Sequence, residues 1–233
     1  MGDDLCMNKR IDAFDILKGF GIICVILGHM PGDAFFVKVI RHSVFSFHMP
    51  LFFLISGYFL SMKHDYKDFI IDKAQKLLIP YYSTCAVICA LSVPVSILLN
   101  QSAKNNLIKW IGGTIYAGGS GSIHAVTFMP TFIGAIWFLW ALFWAFAIVR
   151  ALFDKLSVNK AFVITLIMWF VGWQSSQIFW LPLDIQAGLM ATIYLCIGYI
   201  VRQKDILSKK PMMPLILCGI VLWGGACVSQ ECQ

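Results

Sequence analysis

Seven runs of about 17–25 predominantly apolar residues divide this chain, and no other feature restricts its fold as tightly. They cover Phe14–Met30, Ser43–Leu60, Tyr81–Leu99, Pro130–Val149, Ala161–Ile178, Asp184–Val201 and Met212–Val228. Hydrocarbon offers no partner for backbone N–H and C=O groups, so each run is read as a transmembrane helix. Composition agrees. Hydrophobic residues make up 59% of the 233 and charged residues 13%, against about 25% in a soluble domain. The expected fold class is all-α: a polytopic transmembrane helix bundle of about seven spans, with residues 1–233 forming a single domain. The first run is short and has a basic lead, as a signal peptide does. It ends in His29-Met30-Pro31-Gly32-Asp33 with no small-x-small cleavage site, so it is read as retained.

Charge orients the bundle. With the N-terminus in the cytoplasm and alternating spans, fourteen of the eighteen Lys and Arg residues fall in inner segments. Only Lys38, Arg41, Lys104 and Lys109 fall outside. The net charge of +6 is therefore a topology signal. No basic stripe interleaved with aromatics accompanies it, which excludes a nucleic-acid partner. The eight cysteines form no CxxC pair and no His/Cys cluster with metal-ligand spacing, so no metal site is read.

The longest connection, Asn100 to Thr127, is external, and its apolar part, Leu107 to Tyr116, is too short to span. It reads as an interfacial or re-entrant helix, a lid over an outward cavity, or a plain loop. The chain stops five residues past its last apolar run, and we expect it to be incomplete at the C-terminus.

Ionisable side chains inside apolar runs are functional candidates by default, because an unpartnered one costs several kcal/mol. Lys18 and His29 are the first such pair. Eleven helical steps return nearly to one azimuth, so they share a face about 16 Å apart along the axis. Asp15 sits at i, i+3 to Lys18 and can pair with it. The plainer readings are an Asp15–Lys18 pair that snorkels to the inner interface and a His29 satisfied by outer headgroup water. In the second span, His48 lies a turn and a half inside the outer end. A twelve-residue loop, Pro31 to His42, makes the first two spans antiparallel neighbours and brings both histidines to similar depth. Imidazoles at one level can divide general-base and orienting roles. Pro50 removes a helix hydrogen bond, and Gly57 permits close helix approach. Ser56 reads as a helix-contact residue, since no carboxylate completes a triad near it. On the inner side Lys73 and Lys76, at i, i+3, could clamp a polyanion such as a nucleotide phosphate or simply anchor the span. No P-loop or GxGxxG motif accompanies them. His42 and His64 read as surface residues, and Trp137, Trp140 and Trp144 as packing or interface aromatics.

Several motifs then recur in a familiar order. Arg10-Ile-Asp-x-Phe-Asp-x-Leu-Lys18-Gly19 leads to Gly28-His29, and Phe47-His48-Met49-Pro50-Leu-Phe-Phe-x-Ile-Ser56-Gly57-Tyr58 follows. Next come Lys73-x-x-Lys76-Leu-x-Ile-Pro80-Tyr81-Tyr82, Gly134-Ala-Ile-Trp137-Phe138-Leu139, Leu181-Pro182-Leu183-Asp184 and Gly198-Tyr199. Together they resemble the membrane-bound acyltransferase-3 family, in its fucose 4-O-acetylase-like or exopolysaccharide O-acyltransferase branch. In that family an R-x10-H pattern on the first helix supplies an essential histidine and a cation, and an RxxR motif lies on the cytoplasmic side. Lys18-x10-His29 and Lys73-x-x-Lys76 match these positions with lysine in place of arginine, which keeps the charge but loses the bidentate fork.

The resemblance implies a multi-pass cell-membrane O-acyltransferase with a cytoplasmic N-terminus and no bound cofactor. Acyl-CoA, in the first instance acetyl-CoA, would be the donor, and a hydroxyl of a cell-surface glycan or its lipid-linked precursor the acceptor. His29 and His48 would be catalytic, with Asp15, Lys18, Lys73, Lys76 and Ser56 in donor-binding or supporting roles. The alternatives are a transporter or flippase of a glycan intermediate, which would use the same intramembrane polar groups as a pathway, and an inactive truncated family member.

Overall fold

The computed structural model describes residues 12–32, 34–117, 119 and 132–205. Among them the chain forms seven α-helices and no strand: α1 Asp12–Gly28, α2 Phe35–Tyr58, α3 Tyr66–Leu98, α4 Ala103–Tyr116, α5 Trp137–Lys155, α6 Val158–Ser176 and α7 Ile185–Gln203. The all-α membrane fold expected from the apolar runs is what the chain adopts. Among the described residues four segments are long and apolar enough to cross a membrane: α2, α3, α5 with its leading turn, and α7 with its leading turn. The seventh expected span, Met212–Val228, lies outside the described residues, as does most of the glycine-rich part of the long external connection.

Helix ends depart from the apolar runs where polar side chains pair with one another. The helix containing Tyr81–Leu99 begins at Tyr66, because Asp72 and Lys76 stabilise an inner extension as an i, i+4 ion pair at 2.6 Å. Its 33 residues span about 50 Å, well beyond one hydrocarbon thickness. The fourth run also shifts inward. Gly134, at φ +72°, breaks the chain before Trp137, and an Arg150–Asp154 ion pair carries α5 on to Lys155. The stretch read as an interfacial or re-entrant helix, a lid or a plain loop lies in α4. Ser102 caps it by accepting from the Asn105 N–H, and Ala117 ends it in the left-handed region. It packs along α3.

The hub is α7, which packs against α2, α5 and α6, while α1 packs on α2 and α3 on α4 and α5. Gly57 and Gly198 explain how α7 reaches the centre. A methyl at Gly57 would run into the Leu195 backbone, and one at Gly198 into the Leu54 carbonyl. The two main chains therefore touch where they cross, a contact that only hydrogen side chains allow. Around this crossing sits the main core, with Phe53, Leu142, Phe146, Val149, Leu195 and Tyr199 among its members. A second cluster gathers Tyr81, Cys85, Ala117, Ile133 and Trp140. The tryptophan stripe is packing, as expected: Trp140 is buried, and the Trp144 indole donates to the Leu183 carbonyl at 3.1 Å.

By contrast α1 is peripheral. Phe14, Gly21, Cys24 and Gly28 make its buried seam, with Gly21 against the Phe52 ring and Gly28 against Phe45. Ile16, Phe20, Ile22, Ile23 and Ile26 are exposed. On a membrane helix that is the face left to lipid.

Candidate functional site

The local chain explains where the two histidines stand. Helix α1 ends at Gly28, and the His29 N–H still reaches the Val25 and Ile26 carbonyls at 3.2 Å each. His29 is thus the first residue past the helix, exposed, with its ring edge against Phe45 at a centroid distance of 5.4 Å. The same Phe45 ring meets His48, again at 5.4 Å. The two imidazoles therefore contact one and the same aromatic ring.

His48 is buried, at 2% exposure. Its Nδ1 lies 2.7 Å from the Val44 carbonyl, one turn back along α2. A carbonyl can only accept, so Nδ1 carries the hydrogen and the neutral ring keeps its lone pair on Nε2. Nε2 is buried and has no hydrogen-bond partner. A nitrogen of this kind can accept a proton or a hydroxyl hydrogen bond. In this tautomer it cannot donate to a carbonyl.

The remaining expected site residues divide between two places. Lys18 pairs with Asp15 at 3.6 Å, and its Nζ lies 5.0 Å from the Phe59 ring, at the inner end of α2. Lys73 and Lys76 share Asp72, at 3.8 and 2.6 Å. Lys73 turns toward α5, with Nζ 5.3 and 4.7 Å from the Phe69 and Phe146 rings. The structure thus puts Lys18 against α2, and the lysine pair on α3 beside α5. Ser56 is half-buried on α2, about two turns inward of His48.

Three residues matter here that the sequence reading did not place in the site. Asp184 is 1% exposed, and neither carboxylate oxygen has a hydrogen-bond partner. Leu183 and Asp184 take φ of 58° and 50° in succession, a strained conformation for two residues that are not glycine. The nearby loop is held firmly, since the Gln186 side chain accepts from the Leu181 N–H and donates to the Phe179 carbonyl, both at 2.7 Å. A carboxylate inside an apolar run was the available signal. Arg150, 4% exposed, donates to the His64 carbonyl at 2.8 Å and pairs with Asp154. Arg202 donates to the carbonyls of Tyr58 and Leu60 at 3.3 and 3.1 Å, placing a cation on the C-terminal end of α2.

Two cavities flank α2. One, beyond its C-terminal end, about 340 Å³, is lined by Leu60, Ser61, Lys63, Tyr199, Arg202 and Gln203 among others. The other, along its N-terminal half, about 530 Å³, is lined by Lys38, Arg41, His42, Phe45 and Ser46. No cluster of three or more His, Cys, Asp or Glu residues able to hold a metal occurs among the described residues.

Residues 11–230 match the profile of the acyltransferase domain family Acyl_transf_3. The chain is similar to nodulation protein NolL of Mesorhizobium japonicum, with 27% identity over 211 residues covering 84% of this chain and 49% of that protein. It is also similar to NolL of Sinorhizobium fredii, with 32% identity over 162 residues covering 64% of this chain and 39% of that protein. The chain thus spans about half the length, or less, of these relatives. No solved structure matches it.

Proposed function

We propose, from the premise that this chain belongs to the Acyl_transf_3 acyltransferase family, that it moves an acyl group, in the first instance acetyl, from cytoplasmic acyl-CoA to a hydroxyl of a cell-surface glycan or its lipid-linked precursor. The observation that carries this reading is the buried, unpartnered Nε2 of His48 one aromatic ring away from His29.

In this mechanism the donor enters from the inner side, where Lys18, Lys73 and Lys76 supply positive charge for its phosphates. Its thioester reaches the level of the histidines. His48 Nε2 accepts a hydrogen bond from a neighbouring hydroxyl of the acceptor and so orients the reacting one, while Nδ1 stays fixed on the Val44 carbonyl. His29 takes the hydroxyl proton as the oxygen attacks the acyl carbon. The new C–O bond forms, the C–S bond breaks, and the departing thiolate receives the proton back from His29. Products are the glycan ester and free CoA.

The test is acyl transfer from radiolabelled acetyl-CoA by purified protein in lipid nanodiscs, with His29→Ala and His48→Ala shown to unfold as the parent does. Ester formation by the parent and its loss in both variants is the expected result. Parent-like rates in His29→Ala would sink the mechanism, and glycan movement without donor consumption would identify a transporter.

A further inference from the structure

On the orientation expected from charge, only four cations of this chain fall outside, where the positive-inside rule disfavours them. Two of them, Lys38 and Arg41, line the same cavity. They belong to a single stripe of α2. Lys38, Arg41, Phe45 and His48 follow at i, i+3, i+7 and i+10, so one helix face runs from two cations, over an aromatic ring, to the buried histidine. Phe45 both lines the cavity and touches the two imidazoles.

Arg41 has a structural duty, but it is only partly used. Its Nη2 donates to the carbonyls of Met30 and Gly32, at 2.8 and 3.2 Å, and ties the α1–α2 loop down. Two of five N–H donors are thereby engaged, leaving Nη1 and Nε. That tie holds the guanidinium at the cavity wall, where a free side chain would wander. Lys38 is exposed and makes no ion pair among the described residues.

We infer that the acceptor is an acidic saccharide whose carboxylate or phosphate seats on Lys38 and Arg41 while its hydroxyl reaches His48 and His29. This rests on the acyl-transfer reading and deepens it. The rise from Arg41 to His48 is about 10 Å along the helix, a reach of roughly one or two pyranose rings between anion and reacting hydroxyl. Phe45 between them offers an apolar face against which a sugar ring can lie. The charge that the topology rule disfavours becomes selectivity for an anionic substrate.

Three acceptors of equal length separate the possibilities: a neutral oligosaccharide, the same oligosaccharide ending in a uronic acid, and its lipid-diphosphate-linked form. The expected result is a KM preference for one or both anionic acceptors over the neutral one, weakening as salt rises. Lys38→Gln and Arg41→Gln should each cut that preference about tenfold, and Arg41→Lys should restore part of it. Preference in the uronate arm assigns the anion as a carboxylate, and preference in the diphosphate arm assigns it as a phosphate. Equal use of all three acceptors, or a preference untouched by Lys38→Gln, overturns the inference.

Because Arg41 also ties the loop, Lys38→Gln is the decisive variant. Equilibrium binding of an oligouronate, read by tryptophan fluorescence, keeps the question separate from catalysis. Salt-sensitive binding that Lys38→Gln weakens, in protein that transfers no acyl group, sustains this site while the acyl-transfer reading falls. Binding as weak as that of the neutral oligosaccharide overturns the site.

Discussion

The two ends of α2 are both rich in cations, and they use them differently. At the C-terminal end, Lys18 has Asp15 beside it, and Arg202 lies on the carbonyls of Tyr58 and Leu60. Elsewhere, Lys73 and Lys76 share Asp72, and Arg150 pairs with Asp154. At the N-terminal end, Arg41 is tied through one nitrogen, and Lys38 makes no ion pair among the described residues. The first set of charges is largely absorbed into helix ends and ion pairs. The second is not, so a cavity that collects it needs an explanation in binding. If the two ends work separately, chemistry and acceptor selection should be separable from donor affinity and fold.

The strongest way to break that division is at His29. His29→Ala should lower kcat for acyl transfer by about 10²–10⁴-fold with little change in melting temperature, the range expected on losing a general base. A comparable fall in donor affinity alone would move His29 out of the chemistry. Next in size is the crossing that carries both ends. Gly198→Leu forces a side chain into the Leu54 carbonyl and should cost about 3 kcal/mol or more, read as a lowered unfolding midpoint in detergent. A parent-like midpoint would mean that α2 and α7 do not touch there.

Smaller effects sharpen the inner side. Lys73→Gln should raise the KM for acyl-CoA several-fold and leave kcat and acceptor selectivity alone. An altered acceptor preference would show that the two ends are not independent. Smallest of all, Asp184→Asn should change stability by no more than about 1 kcal/mol, because no hydrogen-bond donor to its carboxylate is lost. A drop of about 3 kcal/mol in chemical denaturation would reveal a partner for Asp184.

Much of the fold was legible because hydropathy and charge act locally. The apolar runs mark α1 through α3 and α5 through α7, and the tryptophan stripe, read as packing or interface aromatics, joins the core clusters. The start of α3 and both ends of α5 were not legible. Their positions depend on an Asp72–Lys76 pair, an Arg150–Asp154 pair and a left-handed Gly134, none of which hydropathy registers. In the site, loop length was enough to expect His29 and His48 on neighbouring helices. It could not show that both meet the Phe45 ring, that Val44 fixes the His48 tautomer, or that Asp184 is buried without a partner.

The sequence by itself determined a helical chain of membrane type and which few polar residues lie inside apolar runs. These follow from free energies of transfer that each segment carries alone. Only the tertiary structure decided that α7 occupies the centre, that Gly57 and Gly198 let two backbones meet, and that one stripe of α2 joins Lys38 and Arg41 to His48 beside a cavity. Those outcomes depend on which faces come into contact. Contact is a property of pairs of helices packed together, and no single segment encodes it.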